Sequence, residues 1–410
     1  MEIRPILSAL LRNKTGAILV ALQVALSLAI LANALHIVSE RRHAAARPSG
    51  VADEQSVFSV SVRNLSAGGP EQMLATQKRE AEVMRAVPGV VAVANVNQIP
   101  LSQSGWNNSV AVDRKQVDET APSSFYFSPD SLIKVWGLKL VEGRDFLPGE
   151  YMDIDANTDV NPRHVIVTKA LADKMWPGVP ATGKNMYFGT GEDAIEVRVV
   201  GVVERLQTQS GEVTARGEYS SIAPMRQYGG YPGALYTVRA EPGQRERVIR
   251  EVEAALRKAS PTPVILESTT LDKYRKDRYQ ADLALSWMLV TVSVLLLLIT
   301  ASGIVGMASL WVTQRRKQIG VRRALGARRA DILRYFVTEN FMITSAGVFG
   351  GVLLGVALNQ LLVSRLEMAR LPLEYLAGGG LVFWLLGVIA VYGPAWRAAS
   401  ISPALATRSA

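Results

Sequence analysis

The stretch Gln314-Arg-Arg-Lys-Gln-Ile-Gly-Val-Arg-Arg-Ala-Leu-Gly-Ala-Arg-Arg-Ala-Asp-Ile-Leu-Arg334 separates two long uncharged segments of the chain. It contains eight basic residues and a single acidic one, Asp331. Lysine and arginine near the ends of membrane spans resist translocation, so a short loop this basic is expected to face the cytoplasm. The segment therefore orients the rest of the chain.

Four uncharged windows are long enough to cross a bilayer. Each exceeds the roughly 18–20 residues that a helix needs to span a hydrocarbon core of about 30 Å. The first window is too long for the apolar part of an ordinary signal peptide and has no convincing small-residue cleavage site. We therefore predict transmembrane helices at 15–39, at the end of the segment 271–314, at 337–364 and at 375–396.

The basic loop, assigned to 315–336, also sets the topology of the remaining segments. The amphipathic start at 1–14 and the tail at 397–410 are expected to be cytoplasmic, and the domain at 40–270 and the short loop at 365–374 are expected to lie outside. The predicted fold class is thus an α+β membrane protein with four transmembrane helices and a large extracytoplasmic α+β domain.

Three arginines oppose this topology, because Arg41, Arg42 and Arg47 follow the first span on its outer side. The conflict weakens if the first helix continues beyond the bilayer as a stalk. The helical pattern of the second segment begins near Leu271, well before its apolar part, which favours such a stalk.

Composition excludes several kinds of function. The net charge of +9 is concentrated beside the hydrophobic windows, where topology explains it, so no nucleic-acid partner is expected. Cysteine is absent and the three histidines are scattered, so neither a metal site nor a catalytic residue is predicted. No charged residue lies in the middle of a span, which argues against ion-coupled transport.

Small and polar residues in the spans predict helix packing. Gln23 and Ser27 are expected to hydrogen-bond between helices. Gly347, Gly351 and Gly355 recur at every fourth position, a spacing that lets two helix backbones approach closely. The sequence leaves open whether this stripe packs within one subunit or between two.

The outside domain shows two βαβ-like units, at 57–96 and 235–266, which suggest a split α+β sandwich of the ferredoxin-like type. A second subdomain is expected as an insert at about 113–231, with strands near 164–167 and 196–203. Within it, Gly178-Val-Pro-Ala-Thr-Gly183-Lys184-Asn185 nearly matches a phosphate-binding loop. Asn185 replaces the hydroxyl that would hold Mg²⁺, and no hydrophobic strand leads into the loop, so we predict no nucleotide site.

The basic segment resembles the cytoplasmic loop of the MacB/FtsX-type ABC-transporter permeases, whose pattern is approximately E-I-G-[IV]-R-[RK]-A-[LV]-G-A-x-x-x-[DQ]-[IV]-[LM]. Gln318 replaces the initial Glu, whereas 319–327, 331–333 and the acidic position Glu339 fit. Further similarities are Gly137–Phe146, the Trp-Pro-Gly turn at 176–178, Val199–Val203 and the tail at 394–408, in which Leu405 stands where Glu is usual.

This resemblance implies a permease of the bacterial inner membrane that forms a homo- or heterodimer with a second permease. It also implies a separate cytoplasmic ABC ATPase subunit, which would bind ATP and Mg²⁺, so the chain itself is expected to be non-enzymatic and to bind no cofactor. The expected mechanism is mechanotransmission, in which ATP hydrolysis moves the outside domain through the stalk. A periplasmic adaptor and an outer-membrane channel are the further partners of such an exporter.

The resemblance places the ATPase-coupling element on a helix in the basic loop. The residues assigned to it are Gln318, Ile319, Gly320, Val321, Arg322, Arg323, Leu325 and Gly326. If this helix continues through Gly326, then Val321, Leu325 and Ile332 share one face. Lipoprotein release and regulation of a cell-wall hydrolase stay open as alternatives to export, and the sequence does not identify a substrate.

Overall fold

The computed structural model describes residues 14–65, 68–230, 233–366 and 369–400. The predicted start at 1–14 lies outside them except for Lys14, as does the tail beyond residue 400. Two compact units contain all the elements: residues 43–282 form one, and 1–42 with 283–410 form the other. The helices are α1 Lys14–Ala46, α2 Pro70–Arg85, α3 Leu132–Trp136, α4 Lys169–Met175, α5 Arg245–Ala259, α6 Leu271–Gln314, α7 Arg316–Ala324, α8 Arg329–Leu366 and α9 Leu373–Ala399.

Four of these helices are long and apolar enough to cross a membrane: α1, α6, α8 and α9. The predicted long first and second helices are confirmed, because α1 has 33 residues and α6 has 44. At 1.5 Å per residue, α6 extends for about 65 Å, roughly twice the thickness of a hydrocarbon core. The helix that contains the third predicted span is longer than that span, since α8 runs from Arg329 to Leu366.

We call the unit of residues 1–42 and 283–410 the membrane unit. Within it, polar side chains form hydrogen bonds from helix to helix, as predicted. Ser27 Oγ and Thr300 Oγ1 are 2.9 Å apart, and Gln23 Nε2 donates to the Ile299 carbonyl at 3.1 Å. Asn33 Nδ2 donates to the Gly355 carbonyl at 3.1 Å. These bonds tie α1 to α6 and to α8 where few other polar partners exist.

The glycine stripe of α8 packs against α1 of the same chain. A Cβ on Gly347 would lie 2.8 Å from Val24 Cβ, and one on Gly351 would lie 2.9 Å from Leu28 Cβ. A Cβ on Gly355 would lie 3.5 Å from the Ala29 Cα. The structure therefore uses this stripe for packing within one chain.

The strands of the other unit are β1 Val57–Asn64, β2 Val90–Val96, β3 Asn107–Ala111, β4 Ala121–Phe127, β5 Leu140–Gly143, β6 Met152–Asp155, β7 His164–Thr168, β8 Asn185–Phe188, β9 Ile195–Val203, β10 Ser220–Ala223, β11 Met225–Tyr228, β12 Gly233–Ala240 and β13 Val264–Thr270. The predicted ferredoxin-like subdomain is confirmed by an antiparallel sheet of order β13-β1-β12-β2. Alternate residues of β1, such as Phe58 and Val60, face a core formed with α2 and α5.

The inserted subdomain is a closed sheet. Its order is β5-β9-β7-β10-β4-β3-β8, and β8 also pairs with β9, so six strands form a ring to which β5 is added. The sheet already includes β3 at Asn107–Ala111, which precedes the predicted boundary at residue 113. Trp136, only 1% exposed, joins the two subdomains through a 2.8 Å hydrogen bond from Nε1 to Thr237 Oγ1.

Arg47, one of the arginines that opposed the topology, has a role inside the α+β domain. Its Nη2 donates to the Val213 carbonyl at 2.8 Å, and its Nε lies 3.4 Å from Glu218. Arg42, at the end of the membrane unit, lies 5.4 Å from the ring of Trp287. Contacts of this kind supply a structural reason for arginine at both positions.

The sequence that resembles a phosphate-binding loop is a turn between α4 and β8. Gly178 and Gly183 have φ angles of +73° and +85°. The turn is followed by a strand, whereas a phosphate-binding loop leads into a helix. Lys184 Nζ lies 5.7 Å from the ring centre of Trp176 and contributes to the turn itself.

Arg144, in the family-like segment Gly137–Phe146, forms an ion pair with Glu150 just after that segment. Arg144 donates to the Glu150 carboxylate at 2.7 and 2.8 Å, and the Leu147 amide donates at 2.8 Å. The hydrogen bonds from Arg144 are the main reason that the pKa of Glu150 falls to about 2. This carboxylate is ionised over the whole physiological range.

Replacing Gly351 with alanine will destabilise the membrane unit by about 1–3 kcal/mol, because the new methyl group overlaps Leu28 Cβ and lies 3.0 Å from the Ala25 carbonyl oxygen. Gly350→Ala is the matched control, since its Cβ would meet Ala25 Cβ at an ordinary 3.5 Å. Thermal unfolding of the full chain in detergent measures both. Equal midpoints for the two variants would contradict close packing at Gly351.

Glu150→Gln will lower stability at neutral pH by about 1–2 kcal/mol, because a charge-assisted pair with Arg144 is lost. The folded-state pKa of about 2 lies below the unfolded value, so the contribution is present above pH ~4.3 and is lost as the pH falls toward 2. The unfolding midpoints of the variant and the parent should therefore differ above about pH 4.3 and converge as the pH falls from about 4.3 to about 2. Glu204→Gln, which alters an exposed pair with Lys139, is the control and should show little effect at any pH.

Candidate functional site

The basic segment folds into the short helix α7, placed at the corner between α6 and α8. Arg315 lies between α6 and α7, and its carbonyl accepts the Ile319 amide at 3.0 Å. Ile319, 5% exposed, belongs to the core of the membrane unit, and Gly320 beside it is also buried. One side of α7 is therefore anchored to the helix bundle, and the opposite side is exposed.

Helix α7 ends in a glycine turn. Gly326 has a φ angle of +98°, which favours glycine, and its amide donates to the Arg323 carbonyl at 3.2 Å. The Ala327 amide reaches back to the Arg322 carbonyl at 3.1 Å. Together these bonds form a Schellman motif, which ends the helix and reverses the chain into α8.

The prediction of one continuous face for Val321, Leu325 and Ile332 is wrong. The helix ends at Ala324, and Ile332 lies on α8, where it is 4% exposed in the core. Val321 and Leu325 are instead 52% and 84% exposed. The structure brings these two apolar side chains to the surface and leaves Ile332 inside.

Asp331, the single acidic residue of the basic segment, is used within the structure. Its Oδ2 accepts the Arg328 amide at 2.9 Å, in the first turn of α8. A carboxylate in this position satisfies a free amide and suits the positive end of the helix dipole. The exposed basic residues that remain are Arg316, Lys317, Arg322, Arg328, Arg329 and Arg334.

A buried ion pair holds the corner together. Arg315 Nη1 lies 2.9 and 2.8 Å from the two carboxylate oxygens of Glu339 on α8, and Tyr335 Oη is 3.4 Å from the same nitrogen. The Glu339 side chain is 1% exposed and that of Arg315 is 18% exposed. A carboxylate this far from water requires a cationic partner, so the pair fixes where α7 begins relative to α8.

The two neighbouring arginines of α7 have different surroundings. The Arg322 guanidinium lies 5.1 Å from the ring centre of Tyr335, in a cation–π arrangement on the exposed side of the corner. Arg323 is half-buried, and its Nη1 donates to the Ala327 carbonyl at 3.2 Å, where it supports the glycine turn. Gln318, the departure from the family pattern, is exposed and lines a shallow cleft with Arg322 and Tyr335.

Comparison with known proteins identifies the family. The profile of the MacB-like periplasmic core domain matches residues 19–255, more than half of the chain. The chain belongs to the MacB/FtsX family of permeases. The profile of the FtsX-like permease C-terminal domain matches residues 290–403, which include α7, α8 and α9.

Curated relatives are about a quarter identical to this permease over the segments that align. The macrolide export ATP-binding/permease protein MacB of Chromobacterium violaceum is 27% identical over 274 residues, which are 66% of this chain and 41% of that protein. The pyoverdine export ATP-binding/permease protein PvdT of Pseudomonas aeruginosa is 25% identical over 222 residues, 52% of this chain and 33% of the relative. The chain thus spans well under half the length of these relatives.

Two solved structures are similar to the α+β part of the chain. The extracellular domain of the noncanonic ABC-type transporter YknZ from Gram-positive bacteria is 14% identical, covers 52% of this chain and 99% of its own, and has a TM-score of 0.33. The periplasmic region of MacB from Actinobacillus actinomycetemcomitans is 13% identical, covers 56% and 94%, and has a TM-score of 0.34.

Sequence reasoning did not find the pairing of Arg315 with Glu339. The resemblance marked Glu339 only as an acidic position that follows the basic loop. One signal was available: Glu339 is an isolated acid at the start of an apolar helix, and such a residue requires a partner. The choice of Arg315 among eight basic residues depends on the geometry of the corner.

Breaking this pair will loosen α7. Arg315→Met leaves Glu339 buried without a partner, which costs roughly 3–5 kcal/mol. The backbone amides of Ile319–Arg323 should then exchange with solvent at least ~10-fold faster, as measured by hydrogen–deuterium exchange on the full chain. Arg315→Met with Glu339→Met removes both charges and should restore most of the protection. Unchanged exchange in the single variant would show that other contacts hold the corner.

Proposed function

We propose that this chain is the permease of an ATP-driven export complex in the bacterial inner membrane, with α7 as the element that an ATPase subunit contacts. The basic segment around α7 faces the cytoplasm in this proposal, because its arginines resist translocation. The first and last residues of the chain then lie on the same side. The α+β domain lies in the periplasm.

One observation carries the proposal: exposed apolar side chains lie in the middle of a basic surface. Val321 and Leu325 are 52% and 84% exposed. Nearby arginines such as Arg322 and Arg328 are exposed as well, whereas Arg323 is half-buried. Retention of the loop in the cytoplasm requires positive charge but no apolar residue. A partner with a hydrophobic groove and an acidic rim fits both features of this surface.

We infer that the ATPase is a separate polypeptide, which binds ATP and Mg²⁺. The sequence Gly178–Asn185 forms a turn that leads into a strand, so it supports no nucleotide site. The matched relatives are named ATP-binding/permease proteins, which combine both functions.

Force from the ATPase would travel by mechanotransmission, from α7 through the ion pair to the long helices. Arg315 is attached directly to the end of α6, and Glu339 belongs to α8. Helix α6 contains no proline and runs unbroken from Leu271, within the α+β unit, to Gln314. An unbroken helix is a stiff connector, since its backbone hydrogen bonds resist bending.

The complete exporter would contain a second permease, identical or related, and would reach the cell exterior through a periplasmic adaptor and an outer-membrane channel. The apolar window of α6 is only 17% buried within the chain, compared with 56% for α1. Much of α6 is therefore free to contact lipid or a second permease. The cargo that suits this architecture is an amphiphile such as a peptide or an antibiotic.

Charge reversal at Arg322 and Arg323 will uncouple ATP hydrolysis from transport. The double variant Arg322→Glu/Arg323→Glu places acidic groups where the acidic rim of the ATPase is expected, and like charges at an interface cost several kcal/mol. We expect the permease-dependent ATPase rate to fall at least ~10-fold in reconstituted complexes. The amount of permease inserted in the membrane should stay unchanged.

Arg329→Glu/Arg334→Glu is the matched control, because it makes the same change in charge on exposed residues of α8. Leu325→Asp tests the apolar contact separately, since this side chain is exposed and makes little contribution to the core. If both double variants reduce the ATPase rate equally, net charge alone explains the effect. Full coupling in the α7 variants would overturn the assignment.

A further inference from the structure

A cleft of about 420 Å³ opens in the α+β domain, where the ferredoxin-like sheet meets β4 and β11. It lies within the unit of residues 43–282 and has no part in the proposed coupling mechanism. Its volume falls in the range of small-molecule sites, which is about 300–1,000 Å³. No charged side chain lines the cleft among the residues that the structure describes.

Carboxamide groups supply most of the polar lining. Gln77, Asn95, Asn97 and Gln227 all reach the cleft from different elements. A carboxamide presents a donor and an acceptor in one plane, so the carboxamide atoms that the fold does not use match hydroxyl or amide groups of a neutral ligand. A charged ligand would find no counter-ion in this lining.

The side-chain oxygen of Gln77 accepts no hydrogen bond from the described residues. The side chain is 6% exposed, and its Oε1 is buried without a hydrogen-bond partner in the described ranges. Leaving a buried acceptor unpaired costs about 1–3 kcal/mol. A ligand hydroxyl or N–H in the cleft is the kind of group that would satisfy this oxygen.

An aromatic pair forms the apolar side of the cleft. Trp106 is 55% exposed, and its ring centre lies 6.0 Å from that of Phe127, which is 5% exposed, at an interplanar angle of 74°. The large ring of an exposed tryptophan offers a flat face for an apolar ligand surface. The Trp106 backbone amide donates to Gln98 Oε1 at 2.5 Å, so the residue is held in place although its side chain is exposed.

Other parts of the lining are already fixed by the fold. Asn97 donates through Nδ2 to the Phe125 carbonyl at 2.7 Å and accepts the Phe127 amide at 2.9 Å. Asn95 Nδ2 donates to the Leu235 carbonyl at 3.3 Å. A preformed lining reduces the entropy that a ligand must overcome on binding.

We propose that this cleft binds an uncharged ligand that carries several hydroxyl or amide groups beside one apolar face, with Trp106 stacking on that face and Gln77 accepting a hydrogen bond. Short saccharides and short neutral peptides share this chemistry. The α+β domain would then recognise a ligand directly, in addition to transmitting movement. This inference does not depend on the ATPase, because binding in the cleft uses residues of the domain alone.

The test uses the full chain, purified in detergent without any ATPase. Three neutral probes are titrated by isothermal calorimetry: chitotriose, maltotriose and an N-acetylated, C-amidated alanine tetrapeptide. We expect at least one probe to bind, and Trp106→Ala to weaken that binding about five- to tenfold, the loss of roughly one stacking contact. Gln227→Ala, at a half-buried position, provides a second variant that leaves the aromatic pair intact.

Gln72→Ala is the control, because Gln72 is an exposed glutamine on the same helix as Gln77 and does not line the cleft. Binding by saccharides alone would identify a saccharide site, and binding by the peptide alone would identify a peptide site. Absence of binding by all three probes up to about 10 mM, a limit far weaker than ordinary affinities, would overturn the proposal. Binding that persists unchanged in both cleft variants would overturn it equally.

Discussion

The ion pair between Arg315 and Glu339 is a buried charge contact at the corner where α6, α7 and α8 meet. The Glu339 carboxylate is removed from water, and a buried charge without a partner costs several kcal/mol. Because Arg315 joins α6 to α7, satisfying that carboxylate also determines where α7 begins. The outward orientation of Val321 and Leu325 follows from this anchored start and from the buried Ile319 on the opposite side.

Local patterns were enough to predict the membrane spans, the long stalk helices and the ferredoxin-like strands. Alternation in β1 and length in α6 are properties of one segment, so the sequence reveals them directly. The closed sheet of the insert was not predicted, because β4 and β10 are rich in serine. Ser123 Oγ and Ser221 Oγ are 2.9 Å apart and buried. Because a buried hydroxyl needs a hydrogen-bond partner, these strands fit into a core only when they pair with each other.

In the basic segment, too, the sequence indicates a helix but not the contacts between distant residues. The family resemblance placed a helix in this segment, and α7 occupies Arg316–Ala324. The predicted shared face of Val321, Leu325 and Ile332 does not form, because Gly326 adopts a left-handed conformation. Such a turn ends the helix, so residues on either side of it do not follow one helical repeat. Pairing across 24 residues, from Arg315 to Glu339, has no periodic signature at all. The roles of the coupling residues remain predictions.

The order of strands in the ferredoxin-like sheet has a consequence for biogenesis. Among the residues that the structure describes, β1 pairs with β12 and β13, and β2 pairs with β12, so these early strands lack their partners until residues 233–270 have been synthesised. The described strands of the closed sheet lie between β2 and β12, from Asn107 to Ala223, and pair with one another. Unpaired strands are templates for aggregation, and long loop closure is slow. The nascent chain can thus complete the inserted subdomain first. The surrounding sheet can form only later, when β12 and β13 become available to pair with β1 and β2.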